Sequence, residues 1–276
     1  MEYKLPSPLA GARIFSSECR DGPMNWANRE GQRNLAKFLR RIGSAGPFCS
    51  GGQPHQRTIQ LISRPGRYEK ADGLLTSRNF ALGVKTADCV PLILFEKESG
   101  LIGALHVSRL NLLEGIISQS LGPILRQVKI SPQSLAVFLG PHIRSKNYDL
   151  KEGAIRKIRQ TRFAQFLHKR SGGFSPENSS LRSPADLPAD LSHEVLTKWE
   201  ALAKAGGGAK GDEIYFDLTA ALRGELEALG IKRENVIDCG LDTYTDRRFF
   251  SSRRRKNKTS SVETFVTVVF KNDASN

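Results

Sequence analysis

The sequence predicts a single α+β domain in which mixed β-sheets are flanked by helices. Three observations carry that expectation. Short apolar runs of strand length recur along the chain, segments with helical spacing fall between and around them, and after an irregular stretch near residues 169–191 strand and helix signals resume with no change of character. With 276 residues, 39% of them hydrophobic and 25% charged, the chain can bury a substantial core in one domain.

Taken in order, residues 31–42 (G-Q-R-N-L-A-K-F-L-R-R-I) place Leu35, Phe38, Leu39 and Ile42 on one helical face, and Gly43 supplies a stop. R-T-I-Q-L-I reads as a strand closed by a turn at Arg64-Pro65-Gly66. F-A-L-G-V, V-P-L-I-L-F, L-I-G-A-L-H-V and S-L-A-V-F-L-G are four further strands. Between the last two, L-N-L-L-E-G-I-I-S-Q-S-L-G-P-I-L carries helical spacing. Near the end come a strand, E-I-Y-F, a helix from Leu218 with Asp217 as its N-cap, and a strand within V-E-T-F-V-T-V-V-F. Lys169 to about Leu191, rich in Ser, Pro, Gly and Asn, reads as an irregular surface segment within the domain. G-G-G-A-K-G, residues 206–211, formally matches a dinucleotide-binding fingerprint. It follows a helical segment and precedes a strand, the reverse of the order that motif needs, so it reads as a turn.

No run approaches the roughly 20 apolar residues that span a bilayer. The start M-E-Y-K-L-P-S-P-L-A lacks the pattern of a signal peptide, so the expectation is a cytoplasmic protein without a membrane partner. Cys19, Cys49, Cys89 and Cys239 form no CxxC pair and are expected as thiols. The net charge of +14 could attract nucleic acid, anionic lipid or a phosphorylated substrate, and does not choose among them.

The chemistry-bearing residues are His55 in Q-P-H-Q-R-T-I, Cys89 in T-A-D-C-V-P and His106 in A-L-H-V-S. Two imidazoles and a thiolate suit Zn²⁺, and three protein ligands with a fourth position open is the pattern of a catalytic zinc. On residue types alone the plainer reading, two strand-end histidines and a buried cysteine, is favoured, since the three come from different elements and meet only in the fold.

T-A-D-C-V-P-L-I-L-F followed by A-L-H resembles the core of the YfiH-type family, the laccase-domain or polyphenol oxidase-like proteins. Q-P-H-Q-R-T-I, A-D-G-L-L-T, L-G-P-H-I, D-L-T-A-A-L and G-L-D-T-Y-T-D-R-R-F-F-S-S-R-R are similar to further segments of that family, in order, from about Asn25 to Phe270. The resemblance implies a layered α/β/β/α arrangement and one Zn²⁺ per chain held by His55, Cys89 and His106. It further implies purine nucleoside and phosphate as partners, with phosphorolysis as the activity and adenosine deamination as an accompanying one. Departures accompany the likeness. H-V-S-R-L-N stands where the family has H-A-G-W-R-G, so its basic residue falls on Leu110 and Arg109 takes the tryptophan position. Asp242, Ser252 and the stretch T-S-S also differ from the family pattern.

If phosphate is the attacking anion, Arg109, Arg253 and Arg254 are the candidates to clamp it, because a guanidinium matches phosphate oxygens in pairs. Asp88, next to Cys89, is placed in the catalytic group, with orientation of the motif favoured for it over acid catalysis; an extended strand would turn it to the opposite face. Tyr148 and Asn25 are candidates for nucleoside contact, and His142 is expected at the surface or rim. Two alternatives stay open. One is a peptidoglycan-precursor editing hydrolase of the same family, with Cys89 as nucleophile. The other is a catalytically degenerate scaffold or basic nucleic-acid binder using the run from Arg247 to Lys258, where no stacking platform accompanies the charge. The residues do not fix an oligomeric state.

Overall fold

β-branched and aromatic side chains fill the strand segments and alternate between two covered faces. In the computed structural model, which describes residues 1–6, 9–44, 46–169, 213–255 and 262–272, the strands are as follows. They are β1 (Ala12–Ser16), β2 (Phe48–Gly51), β3 (Ile59–Leu61), β4 (Arg67–Tyr68), β5 (Gly73–Thr76), β6 (Ala81–Thr86), β7 (Val90–Glu96), β8 (Leu101–Val107), β9 (Ala136–Leu139), β10 (Leu167–Lys169), β11 (Ile214–Phe216), β12 (Val236–Asp238) and β13 (Phe265–Lys271). The chain divides into two compact units, residues 1–144 with 225–276, and residues 145–224.

The first unit holds two mixed sheets, ordered β1-β13-β6-β2-β4 and β12-β9-β7-β8-β5-β3. β1, β13 and β6 run antiparallel, while β2 joins β6 and β4 in parallel. In the other sheet β9, β7, β8 and β5 are antiparallel, with parallel strands at both edges. The sheets share one core. Ile14, Leu82, Val84 and Val269 from the first meet Leu74, Ile93, Phe95, Ile102, Ala104 and Phe138 from the second. On the outer face of the five-stranded sheet, Phe15, Val266, Val268 and Phe270 pack with Leu35, Phe38 and Ile42 and with Met24 and Trp26.

The first helix is α1 (Arg29–Arg41), as its apolar spacing predicts. The Asn28 side chain caps it by accepting the Gly31 N–H at 2.8 Å, and Gly43, at φ +62°, lies just beyond its end. Gly31 is required there, since a Cβ would lie 1.9 Å from the Asn25 carbonyl oxygen. β7 and β8 are buried along their whole length, so the six-stranded sheet is covered on both faces. The expected helix between β8 and β9 is divided into α2 (Arg109–Leu113), a π turn (Ile116–Leu121) and α3 (Gly122–Gln127). Gly115 at φ 89° makes the first break, and Pro123 sits in the first turn of α3.

The second unit contains α4 (Glu152–Arg159), the antiparallel pair β10–β11 and the start of α5 (Leu218–Ala228). Asp217 caps α5 as expected, its carboxylate accepting the Ala220 N–H at 2.8 Å. Ile155, Ile158, Phe163 and Phe216 are buried. Most of the irregular Lys169–Leu191 stretch, G-G-G-A-K-G, Lys256, Lys258 and T-S-S lie outside the described residues. Among the described residues no helix is long and apolar enough to cross a membrane.

Candidate metal centre

Strand register brings two of the three chemistry-bearing residues together. His106 is the penultimate residue of β8 and pairs with Pro91 of β7, two positions after Cys89, which sits in the bend entering that strand. His55 arrives from the connection between β2 and β3. The ligand atoms of His55, Cys89 and His106 all lie within 4.8 Å of one another. The two imidazoles meet edge to face with centroids 4.7 Å apart. A tetrahedral zinc with ordinary Zn–N and Zn–S bonds spaces its ligand atoms by about 3.3–3.6 Å, so a shift on the order of 1 Å would close the set on an ion. His106 is buried, Cys89 half-buried and His55 exposed, which leaves the group accessible from the His55 side.

The support beneath these residues is built from buried aspartates. Asp72, 1% exposed, is the aspartate of the A-D-G turn that leads into β5. One of its carboxylate oxygens accepts the His106 Nδ1–H at 2.9 Å and the His55 backbone N–H at 3.1 Å; the other accepts the Gln56 N–H at 2.7 Å. Its own carbonyl accepts the His106 N–H at 2.7 Å. This arrangement fixes the His106 tautomer and offers its Nε2 to the centre. His55 and Gln53 both take left-handed backbone conformations, at φ 63° and 64°, which the bonds to Asp72 and to β6 hold in place.

Asp88 departs from the extended conformation expected of it: its φ is 92°, in the bend between β6 and β7. Its two oxygens accept the Thr243 hydroxyl and the Arg253 backbone N–H, both at 2.7 Å, and its carbonyl accepts the Ile143 N–H at 3.0 Å. The side chain thus ties the Cys89 bend to the loop before β13. Burial, reinforced by the Asp88 and Asp72 carboxylates, pushes the Cys89 thiol up to about 12, with Arg109 opposing. Burial also lowers the pKa of His106, against the pull of Asp72, so its ring is held neutral. A protonated thiol and a neutral imidazole make a site where a soft cation binds by displacing one proton.

The sequence model of the multi-copper polyphenol oxidoreductase laccase family matches residues 26–189 and 185–268, nearly the whole chain. The chain belongs to this YfiH-type, laccase-like family. Among curated relatives, the laccase-like chain is 28% identical over 223 residues to a purine nucleoside phosphorylase of Campylobacter jejuni, covering 80% of this chain and 76% of that protein. A purine nucleoside phosphorylase of Deinococcus radiodurans is 28% identical over 141 residues, covering 50% and 55%. The fold matches the Bacillus licheniformis protein YfiH with a TM-score of 0.69 at 18% identity, covering 98% of each chain. It matches YlmD of Geobacillus stearothermophilus with a TM-score of 0.68 at 18% identity, covering 97% and 94%.

The remaining candidates of the laccase-like chain separate by what they touch. Arg109 opens α2, inside a reciprocal cap in which Ser108 accepts the Asn111 N–H and the Asn111 side chain accepts the Ser108 N–H. It therefore sits in a helical turn rather than in β8. Its charge reaches Cys89, and its buried Nε has no hydrogen-bond partner. Leu110 beside it is 48% exposed. The Arg254 guanidinium donates to the carbonyl oxygens of Thr243 (2.7 Å), Tyr244 (2.9 Å), Asp246 (3.3 Å) and Phe249, so it holds the 243–249 loop together. The Arg253 side chain is exposed, and its backbone N–H meets Asp88. Asn25 accepts the Ala27 N–H at 3.1 Å in the loop before α1. Tyr148 belongs to the second unit, with its ring 6.4 Å from that of Phe216. His142, expected at the rim, is instead fully buried: its Nδ1–H donates to the Gly140 carbonyl at 2.7 Å, and burial lowers its pKa to about 4. Asp72 and Gln53 bear no chemical signature in the sequence beyond Asp72's place inside the A-D-G-L-L-T motif.

Proposed function

We propose that the protein is a zinc-dependent purine nucleoside phosphorylase, cleaving adenosine or inosine with phosphate to free base and ribose 1-phosphate, with adenosine deamination as a second activity of the same centre. The observation that carries it is the convergence of His55, Cys89 and His106 on one point, with Asp72 fixing the ring of His106. The curated relatives named purine nucleoside phosphorylase support the same reading.

In this reading His55 and His106 give neutral nitrogens, and Cys89 gives its sulfur after losing its proton. The bound zinc supplies a Lewis acid that polarises a substrate heteroatom or lowers the pKa of a bound water. Arg109, whose charge reaches Cys89, receives the phosphate, with Arg253 assigned to the same anion. Asp88 positions the Cys89 bend, and Asn25 and Tyr148 are assigned to the nucleoside. Phosphorolysis then forms a bond between a phosphate oxygen and the anomeric carbon, breaks the bond to the purine nitrogen, and leaves the phosphate's proton on the departing base. Holding an anion beside an oxocarbenium-like carbon is the main demand on the protein. The single three-residue cluster found among the described residues also falls short of the ligand count that multi-copper oxidation of phenols requires.

One observation favours the hydrolase reading: Cys89, His106 and Asp72 stand in the order of nucleophile, base and orienting carboxylate. Against it, the Cys89 thiol is pushed up in pKa rather than down, and His55 aims a second imidazole at the same point. Metal content by mass spectrometry, with base release from adenosine or inosine in phosphate, separates the readings. The expected result is about one zinc per chain, lost in His106→Ala, and base release that requires phosphate. A metal-free protein that cleaves a peptide bond through Cys89 would overturn it.

A further inference from the structure

His106 sits where the ladder between β5 and β8 stops. Gly73 pairs with Leu105, so the register sets Asp72 opposite His106. A hydrogen-bonded pair in an antiparallel ladder exchanges two bonds, one in each direction. Here only one is made. The His106 N–H donates to the Asp72 carbonyl at 2.7 Å, but the Asp72 N–H turns away to the Thr58 carbonyl at 2.9 Å. The His106 carbonyl thereby loses its ladder donor in a buried place, where an unpaired backbone oxygen is costly.

Asn111 supplies the missing donor. Its Nδ2 gives a hydrogen to the His106 carbonyl at 2.8 Å, and its Oδ1 accepts the Ser108 N–H at 2.8 Å. Its backbone N–H donates to the Ser108 hydroxyl at 3.3 Å. Asn111 and Ser108 are both buried. One amide contact needs a donor and the other an acceptor, which fixes the way the side chain points. Ser108 and Asn111 stand at the two positions where the family pattern H-A-G-W-R-G has glycine. Glycine has no side chain to make these bonds, so the clamp is an addition of this chain.

We propose that Asn111 is a positioning residue of the candidate metal centre: with Asp72 it fixes the backbone of His106, and so the place of the His106 ring relative to Cys89 and His55. The consequence for metal affinity rests on the zinc reading, whereas the hold on His106 rests on the hydrogen bonds alone. Asp72 takes the backbone N–H and the ring Nδ1–H of His106, and Asn111 takes its carbonyl. A ligand tied on both sides has less freedom to lose when an ion binds.

The test sets Asn111→Ala and Asn111→Asp beside Ser108→Ala in the full chain. Ser108→Ala removes the hydroxyl from the cap and leaves the amide on His106. Asn111→Asp keeps an oxygen for the Ser108 N–H, and its ionised carboxylate has no hydrogen for the His106 carbonyl. Zinc titrated against a chromophoric chelator is expected to bind about 10-fold or more weakly to both Asn111 variants. In Ser108→Ala it is expected to stay within about twofold of the unmodified chain. Thermal stability falls in all three, so a role confined to the cap would leave their zinc affinities alike. In metal-free protein the buried His106 Nδ1 proton, held by Asp72, gives a protected NMR signal. That signal is expected to persist in Ser108→Ala and to exchange faster in the Asn111 variants. Asn111 variants that match Ser108→Ala in zinc affinity overturn the assignment, as does unchanged protection of the His106 proton. If the unmodified chain binds no zinc, the zinc reading fails by itself, and the proton signal still decides whether Asn111 holds His106.

Discussion

Replacing Asp72 with asparagine removes a charge from beneath the candidate metal centre while keeping nearly the same volume. The carboxylate accepts three hydrogen bonds, from His106 Nδ1–H, His55 N–H and Gln56 N–H, at 2.9, 3.1 and 2.7 Å. An amide has one oxygen. Turned towards His106 and His55, it presents an NH₂ group to the Gln56 N–H; turned the other way, it presents NH₂ to both of the others. At least one buried donor is left facing a donor, at about 1.5–3 kcal/mol for a bond to a charged group. The loop carrying His55 loosens and the His106 ring loses the partner that fixes its tautomer. Loss of such outer support weakens metal binding by about 10–100-fold, or roughly 1.4–2.7 kcal/mol. Competitive titration of zinc against a chromophoric chelator near neutral pH measures this, with circular dichroism to confirm the fold. An intact Asp72→Asn protein that binds zinc within about twofold of the unmodified chain would refute the assignment of Asp72 as the orienting group.

His142 gives a pH-dependent stability. Its folded pKa, about 4, lies below its ordinary value of 6.5, so the unfolded chain binds the extra proton first and stability falls as pH drops through that window. The loss is about 3 kcal/mol by pH 4, read from urea midpoints at neutral and acid pH, and His142→Gln flattens the dependence. Arg254→Lys loses the fork that spans four carbonyl oxygens and should destabilise by about 2–3 kcal/mol in thermal melts, without affecting zinc content. Phe38→Ala, under the five-stranded sheet, should cost about 3–5 kcal/mol in denaturant unfolding.

The elements that were legible in the sequence are those whose side chains repeat with a clear period. α1 follows from Leu35, Phe38 and Ile42 on one face, and β6, β7, β8, β9 and β13 follow from their apolar runs. β1, β2 and β12 were missed because they are short and mix polar residues into the run, and they become strands by pairing with β13, β6 and β9. The helical pattern after β8 was right in kind but blind to the break that Gly115 makes. At the site, the residue types of His55, Cys89 and His106 allowed metal chemistry and the family resemblance pointed to it, but only the β7–β8 register and the β2–β3 connection bring them together. Asp72 carried only its place inside A-D-G-L-L-T, and its role stayed hidden because a buried aspartate is recognised by the donors around it. Asp88 was misread in conformation for the same reason: its positive φ is sustained by Thr243, Arg253 and Ile143, far along the chain.

The measurement that bears most directly on the proposed metal centre is X-ray absorption at the zinc edge on the zinc-loaded protein. A centre built by His55, Cys89 and His106 gives one sulfur at about 2.3 Å and nitrogen or oxygen neighbours at about 2.0–2.1 Å, with the sulfur lost in Cys89→Ser. A zinc spectrum without sulfur, or one unchanged by Cys89→Ser, would contradict the centre and return Cys89 to the role of a buried thiol or a nucleophile.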